Sequence, residues 1–364
     1  MKVIAVNATA LNSSGALTIL RQFIYHASKE KDIHFYIYIS GDVEHAVYDN
    51  ITYMVKKNST WLSRIFWDML GFSRDIKKNI NKTPTIISLQ NTTINNISEQ
   101  YVYIHQSIPF TKFKINLFKL NDFKILLYKY FYSFFIFLYS NDNTKYIVQT
   151  NWMKDAILNK KDIKKENVIV ICPDVNLPLL DKKNSVFSDE DNSLIYPATC
   201  FSYKNHFILL KSLYLIEKNT LNKKVKLKVT FNEGDYVEFD NMVSKLNLKN
   251  NIIYLGVLSY SDLICEYKRS SILVFPSYIE TVGLPLAEAA TLGMNILCSD
   301  LPYARDLLND YECVTYITFN DSEAWKDAIV YRLNNLSISN TSFKMPTTKK
   351  WNDFFEFYIK SDKL

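Results

Sequence analysis

Glycine, arginine and cysteine are scarce in this sequence of 364 residues, and each shortage narrows the class of protein. Only 7 glycines are present, so each is more informative than usual. The five cysteines are odd in number, far apart and without metal-ligand spacing, which favours reduced thiols over a disulfide framework. The N-terminal run MKVIAVNATALNSSGA lacks the long apolar core of a signal peptide. We therefore expect a cytoplasmic protein.

The composition is that of a folded protein without a nucleic-acid partner. Hydrophobic residues make up 48% of the chain and charged residues 22%, which is the balance of a globular protein. A chain of this length is too long for one ordinary core and fits two domains. The net charge of +6 is too modest to indicate nucleic-acid binding. No G-x-G-x-x-G follows the first apolar run, which ends at Val6, so a dehydrogenase is disfavoured.

Short apolar runs alternate with helical patterns along the chain. The alternation predicts the α/β class, with parallel sheets covered by helices on both faces. A segment rich in Asp, Lys and Pro interrupts it, and we interpret that segment as a linker. We predict a first domain at residues 1–176, a linker at 177–191, a second domain at 192–346, and a C-terminal helix at 347–364 that crosses back to the first. The predicted strands are Lys2–Val6, His34–Ile39, Thr85–Leu89, Tyr101–His105, Tyr146–Gln149, Asn167–Cys172, Ser193–Pro197, Val225–Phe231, Asn251–Leu255, Ser271–Phe275, Asn295–Ser299 and Val314–Phe319.

The most informative segment, residues 274–300, reads VFPSYIETVGLPLAEAATLGMNILCSD. A buried strand, a glycine loop, a helix and a second strand make one βαβ unit, and such sheets bind ligands at the carboxyl ends of their strands. The helix start after Gly283, with Pro285 at a position that suits its missing N–H, offers free N–H groups to a pyrophosphate. Glu280 in the loop and Glu288 in the helix are carboxylates suited to the vicinal hydroxyls of a sugar or ribose.

These two glutamates, eight residues apart, resemble the E-x7-E donor signature of retaining GT-B glycosyltransferases, specifically glycosyltransferase family 4. Gly283 and Leu284 lie between them as in that family. The resemblance implies two Rossmann-like, doubly wound parallel-sheet domains that face a central cleft. It also implies that Glu288 binds the ribose and Glu280 the donor sugar, with retention of the anomeric configuration. The alternative is that both are exposed glutamates on or beside a core-packing helix.

A second stretch that resembles the family, YPATCFSYKNH, follows the first strand of the second domain. The resemblance assigns Lys204 to the basic pair that grips the diphosphate. The usual arginine of that pair is missing, since no arginine occurs between Arg74 and Arg269. We place Thr199 near the position of that missing arginine. The alternative for Lys204 is a solvated surface lysine.

The first domain matches the family in part. In the run YVYIHQSIPF, His105 ends a predicted strand, where the family commonly carries a histidine close to the reacting sugar; a structural histidine is the alternative. Gly15 is the single glycine left in a loop where the family often has two near the phosphates. An ordinary helix start capped by Ser13 or Ser14 is the alternative there. The run SLQNTT, which starts at Ser88, is assigned to the acceptor side.

Residues 123–140 read FKILLYKYFYSFFIFLYS, nearly long enough to span a bilayer. Because the run holds Lys124, Lys129 and many tyrosines, we predict a helix that packs on the first domain and turns a basic, aromatic side to the membrane surface. A plain buried helix is the alternative. The acidic run Asp189-Glu190-Asp191 is interpreted as a solvated turn, and the resemblance implies neither a metal nor another cofactor.

The resemblance implies a hexosyltransferase that moves a sugar from a nucleotide diphosphate sugar to a glycan acceptor. That acceptor is expected on a polyprenyl diphosphate carrier, in O-antigen or other surface polysaccharide biosynthesis, at the inner face of the plasma membrane. Two alternatives share the fold. A GT-B sugar-nucleotide epimerase would need no acceptor, and a non-catalytic sugar-nucleotide-binding subunit would fit the missing arginine and the missing second glycine.

Overall fold

The computed structural model divides into two compact units. The first consists of Met1–Asp174 and Thr347–Leu364, and the second of Val175–Pro346. The predicted linker at 177–191, with its acidic run, lies outside the described residues. The residues that the structure describes are 1–12, 14–41, 43–56, 61–111, 123–175, 192–219, 224–336, 343–346 and 349–360.

A parallel sheet of seven strands forms the core of the first unit, in the order β3-β2-β1-β4-β5-β6-β7. Its inner strands are mostly apolar runs buried on both faces, as the helix-covered parallel sheets of α/β proteins require. The strands are β1 (Lys2–Asn7), β2 (Ile33–Ser40), β3 (Ile51–Lys56), β4 (Thr85–Ser88), β5 (Gln100–Ile104), β6 (Thr144–Val148) and β7 (Val168–Val170).

Helices flank this sheet, and the C-terminal segment completes its core. The helices are α1 (Ser14–Ala27), α2 (Trp61–Phe66), α3 (Phe72–Asn79), α4 (Phe123–Phe137) and α5 (Asn151–Leu158), with a π-helical segment at Trp67–Gly71 and short 3₁₀ segments at Ile108–Phe110 and Lys165–Asn167. The described part of the C-terminal segment includes a π-helical stretch, Phe355–Lys360. Trp351, Phe354 and Phe355 are fully buried in the first unit, where the Trp351 ring meets that of Phe23 at 5.3 Å.

The second unit repeats the architecture with six parallel strands in the order β10-β9-β8-β11-β12-β13. The strands are β8 (Ser193–Tyr196), β9 (Lys226–Val229), β10 (Ile252–Tyr254), β11 (Ile272–Phe275), β12 (Asn295–Ser299) and β13 (Val314–Ile317). The helices are α6 (His206–Asn219), α7 (Val237–Lys245), α8 (Tyr260–Lys268), α9 (Leu284–Thr291), α10 (Pro302–Leu307) and α11 (Ser322–Asn334), and α12 (Trp351–Phe354) follows in the first unit. Short 3₁₀ segments lie at Ser202–Lys204 and Lys249–Asn251.

The strand order reverses direction once in each sheet, which fixes where a ligand can bind. In the first unit the reversal lies between β1 and β4, and in the second between β8 and β11. The loops that leave two such neighbouring strands diverge to opposite faces and open a crevice at their carboxyl ends. The loops after β8 and β11, which contain the predicted site residues Lys204 and Glu280, therefore flank the crevice of the second sheet.

The structure confirms the predicted fold class of two parallel α/β domains. Each predicted strand has a counterpart among the observed ones, with bounds that differ by a few residues at most. The prediction lacked β3, Ile51–Lys56. That strand lies at the edge of the sheet beside β2, and Val55 is 53% exposed. Because the strand is partly exposed, its residues do not form the continuous apolar run by which the other strands were predicted.

Candidate functional site

The loop between β11 and α9 needs glycine at position 283. Gly283 is the N-cap of α9 and has φ 76°, a left-handed conformation that side-chain-bearing residues rarely adopt. A Cβ there would also lie 3.2 Å from the Leu286 side chain and 3.5 Å from the Tyr303 ring. Leu284 is the first residue of the helix and Pro285 the second, where the missing N–H of proline costs nothing. The loop at residues 276–283 thus joins the carboxyl end of β11 to the start of α9, whose free N–H groups are suited to an anion.

Glu288 is held inside the second unit by two tyrosines of α8. Glu288 is 9% exposed, and its carboxylate accepts a hydrogen bond from the Tyr267 hydroxyl, which lies 3.0 Å from Oε2. Tyr260 donates a second hydrogen bond to the same carboxylate. Burial raises the pKa of Glu288, and the two hydrogen bonds oppose that rise. Because a carboxylate has about four lone-pair sites, capacity remains for a vicinal diol.

Lys204 and Glu280 form an ion pair across the crevice of the second sheet. The Nζ of Lys204 lies 2.5 Å from Oε1 of Glu280, and both side chains are largely buried, with 16% and 14% exposed. Lys204 follows β8 and Glu280 follows β11, so the two strands at the reversal each supply one charge. A diphosphate bound at the start of α9 would offer Lys204 an anionic partner, and a sugar hydroxyl would offer Glu280 a neutral one.

Backbone and amide contacts fix the loop that carries Lys204. The Tyr196 hydroxyl donates to the Lys204 carbonyl at 2.6 Å, and the Tyr278 N–H donates to the Tyr203 carbonyl at 3.0 Å. Asn205 has φ 59°, and its Nδ2 donates to the carbonyls of Phe319 at 2.7 Å and Pro276 at 3.2 Å. Asn205 thus ties the loops after β8, β11 and β13 together.

Thr199 lies at the exposed start of this loop, and its carbonyl accepts from the Phe201 N–H at 2.9 Å. Its placement near a phosphate stays a prediction.

His105 lies in the first unit, directly after β5, and its ring contacts the side chain of Asn91. The Asn91 Nδ2 lies 3.0 Å from the His105 Nε2. Burial lowers the pKa of His105 to about 4, and a hydrogen bond to the Leu89 carbonyl opposes this only in part. The ring is therefore neutral at pH 7, so it cannot donate a proton as a general acid, and its low pKa makes it a weak proton acceptor.

Gly15 lies in the first turn of α1 and is exposed. A Cβ at this position would meet no atom of the described residues within 4 Å, so no contact among them requires glycine here. Its contact with a phosphate stays a prediction.

A buried carboxylate that the sequence did not single out, Asp68, lies beneath the reversal point of the first sheet. It accepts hydrogen bonds from Asn7 Nδ2 at 2.7 Å, from Thr92 Oγ1 at 2.6 Å, and from Gln90 Nε2. Burial raises its pKa to about 6 against these hydrogen bonds and the charge of Arg64. The signal that could have found this cluster is the polar residue that ends β1, Asn7, together with the polar residues that follow β4.

Two further findings concern metals and membranes. Across the residues that the structure describes, no group of three or more His, Cys, Asp or Glu side chains is placed to hold a metal ion. Over the same ranges, no helix has both the length and the hydropathy needed to cross a membrane.

Comparison with known proteins links the second unit to glycosyltransferases. The family described as glycosyl transferases group 1 matches residues 180–343. The O-antigen chain mannosyltransferase RfbU of Salmonella typhimurium is 24% identical over 197 residues, which are 54% of this chain and 53% of that protein. The O-antigen chain mannosyltransferase B of Escherichia coli is 24% identical over 160 residues, 44% of this chain and 41% of that protein. The chain thus spans about half the length of the curated relatives it matches.

Similar solved structures cover nearly the whole chain. HepE of Anabaena, solved with UDP and glucose, has a TM-score of 0.64 at 13% identity and covers 92% of this chain and 90% of its own. A glycosyltransferase from Rickettsia africae gives 0.62 at 17% identity, covering 93% and 89%. WaaG, a glycosyltransferase involved in lipopolysaccharide biosynthesis, gives 0.62 at 15%, covering 90% of each chain. At these identities the likeness establishes the fold, which is that of the GT-B glycosyltransferases.

Proposed function

We propose that this protein is a glycosyltransferase whose second unit binds a nucleotide diphosphate sugar. The observation that carries the proposal is the joint placement of Lys204, Glu280 and Glu288 around the carboxyl ends of β8 and β11. We assign the ribose hydroxyls to Glu288 and the donor sugar to Glu280. The diphosphate is assigned to Lys204 and the N-terminus of α9, where a cation and free N–H groups stabilise negative charge.

We infer that transfer proceeds with retention of the anomeric configuration. The resemblance to glycosyltransferase family 4 supports this, and we assign no residue of the site as a nucleophile. On this proposal the leaving diphosphate helps to take the proton of the acceptor hydroxyl. Catalysis then rests on positioning and on stabilisation of the developing diphosphate charge by Lys204 and the start of α9. The anomeric configuration of the product, determined by NMR, tests this step, and an inverted product would contradict it.

The proposed acceptor is a glycan on a polyprenyl diphosphate carrier in surface polysaccharide biosynthesis. The curated relatives support it, because their names describe O-antigen chain mannosyltransferases. They also make mannose the first sugar to try, while the UDP and glucose in HepE make UDP-glucose the second. No metal or other cofactor is proposed, since a lysine and a helix terminus supply the positive charge for the diphosphate.

We propose further that α4 rests on the anionic cytoplasmic membrane surface, where such an acceptor would reside. Tyr130, Phe131 and Phe134 on this helix are each at least 60% exposed, whereas Ile136 is fully buried in the core of the first unit. Exposed aromatic side chains beside Lys129 are the composition of an interfacial helix.

Vesicle sedimentation tests the membrane proposal. The double substitution Phe131→Ser and Phe134→Ser should release the protein from vesicles that contain anionic lipid. The matched control is Tyr331→Ser, which alters a 65% exposed tyrosine of the second unit and should leave binding unchanged. Equal binding by the variants and by wild type would contradict the proposal.

The experiment that tests the function is a transfer assay with a panel of nucleotide sugars, including GDP-mannose and UDP-glucose. We expect one donor to transfer its sugar to lipid-linked glycan extracted from membranes. The same reaction without acceptor separates the alternatives, because an epimerase would still convert its substrate. Nucleotide binding without either reaction would favour a non-catalytic binding subunit.

A further inference from the structure

The side chain of Asn91 is locked in one orientation at the reversal point of the first sheet. It follows β4, has φ 70°, and is 7% exposed. Its Oδ1 accepts the backbone N–H of His105 at 2.7 Å and that of Gln106 at 3.0 Å, which caps the end of β5. The backbone N–H of Asn91 donates to the Tyr103 carbonyl at 3.2 Å. A flipped amide would turn its NH₂ group toward two N–H donors, so the orientation is unambiguous.

This orientation decides the protonation of the His105 ring. The Asn91 Nδ2 lies 3.0 Å from the His105 Nε2, and an amide nitrogen can only donate. Nε2 must therefore accept, which leaves the single proton of the neutral ring on Nδ1. The Leu89 carbonyl, which also hydrogen-bonds to the ring, is an acceptor suited to a protonated nitrogen.

Two tyrosines lie beside the His105 ring and the Asn91 amide. Tyr132 of α4 hydrogen-bonds to Asn91 and also reaches the Gln90 carbonyl, 3.4 Å from its hydroxyl. The Tyr103 ring lies 6.1 Å from that of His105. Burial raises the pKa of both phenols, so both tyrosines are neutral at pH 7. Two charged groups also act on Tyr132: Asp68 raises its pKa and Arg64 lowers it.

We propose that Asn91 is a positioning residue that holds His105 as the neutral tautomer with its proton on Nδ1. His105 then acts in the reaction as an oriented, uncharged group and not as a general base, because its basic nitrogen is occupied by the amide. The link to catalysis rests on the proposed function, whereas the tautomer itself does not.

Nitrogen-15 NMR of histidine-labelled, full-length protein without added ligand tests the proposal. The chain has only 5 histidines, so a spectrum of His105→Gln identifies the His105 signals. We expect an unprotonated Nε2 and a protonated Nδ1 in wild type at pH 7. Asn91→Asp keeps the oxygen that caps β5 but offers a carboxylate to Nε2. In that variant Nε2 should become protonated, and the pKa of His105 should rise above 6.5, its ordinary value.

A protonated Nε2 in wild type, or an unchanged pKa in Asn91→Asp, would overturn the proposal. If Asn91→Asp fails to fold, the wild-type spectrum alone decides the tautomer. In an active preparation we expect kcat of this variant to fall on the order of tenfold or more, the scale of loss when an orienting partner is altered. Nucleotide affinity should stay unchanged, because the nucleotide is assigned to the second unit. A wild-type protein that binds no nucleotide would contradict the proposed function and leave the tautomer standing.

Discussion

Replacing Tyr267 by phenylalanine removes one hydroxyl from the assembly that holds Glu288. The Tyr267 ring is fully buried and its hydroxyl donates to a carboxylate oxygen at 3.0 Å, so the substitution deletes this hydrogen bond and little else. Tyr260 donates to the same carboxylate but is 43% exposed, so water can replace its hydroxyl more easily. We therefore expect the larger effect at Tyr267.

The size of the effect follows from the charge and burial of the acceptor. A hydrogen bond to a charged group contributes about 1.5–3 kcal/mol to the free energy of unfolding. In a domain of this size about 1 kcal/mol corresponds to ~2–4 °C of melting temperature, so Tyr267→Phe should melt roughly 3–12 °C lower at neutral pH. The variant should also bind the nucleotide less tightly, because its ribose ligand loses a fixed orientation.

The difference in melting temperature between Tyr267→Phe and wild type should depend on pH, in a direction set by the pKa of Glu288. Burial already raises the pKa of Glu288, and removal of a donor raises it further. Above that pKa the variant holds an ionised carboxylate with one donor fewer, whereas below it the carboxyl is protonated and the loss shrinks. The difference in melting temperature should therefore narrow as the pH falls through the raised pKa. Thermal unfolding followed by circular dichroism, with the exposed Tyr331→Phe as control, measures it. Equal melting of Tyr267→Phe and that control at every pH would refute the reasoning.

Two further substitutions test separate parts of the account. Glu280→Ala should abolish transfer but leave nucleoside diphosphate binding largely intact, because the ribose contact of Glu288 remains; normal turnover, measured as kcat, would remove its assigned role. His26→Ala should cost ~2 kcal/mol in mild acid, since its ring bridges Asp174 and Asn352 at 2.6 Å each. Burial alone would lower the pKa of His26, but these two partners raise it above 6.5. This stabilisation is complete below 6.5 and lost as the pH rises through the raised pKa, so a loss of stability independent of pH in denaturant titrations would contradict it.

The sequence predicts the sheets because most of their strands are continuous apolar runs. The edge strand β3 was not predicted because it is not such a run. Glu280 and Glu288 were found for a local reason, since their spacing and the glycine and proline between them lie within one short segment. Gly283 was found in the same way, and its left-handed backbone gives the physical reason for glycine there.

The partners of those residues could not be found locally, because folding brings them together from distant segments. Tyr267 precedes Glu288 by 21 residues, and Lys204 precedes Glu280 by 76. Likewise, nothing in the sequence of either loop indicates that Asn91 holds His105. Spacing identifies groups that lie on one loop and helix, whereas an ion pair or an oriented ring depends on which strand ends are neighbours.

Calorimetric titration of UDP, GDP, dTDP and CMP into wild type and Glu288→Ala tests the central claim most directly. The account predicts that one nucleotide binds the wild type and that the variant binds it more weakly by about 1–3 kcal/mol, roughly 5- to 150-fold in Kd. Glu312→Ala, which alters an exposed glutamate of the same unit, should leave that affinity unchanged. Equal affinity of Glu288→Ala and wild type, or no binding of any nucleotide, would contradict the assignment of the second unit as the donor site.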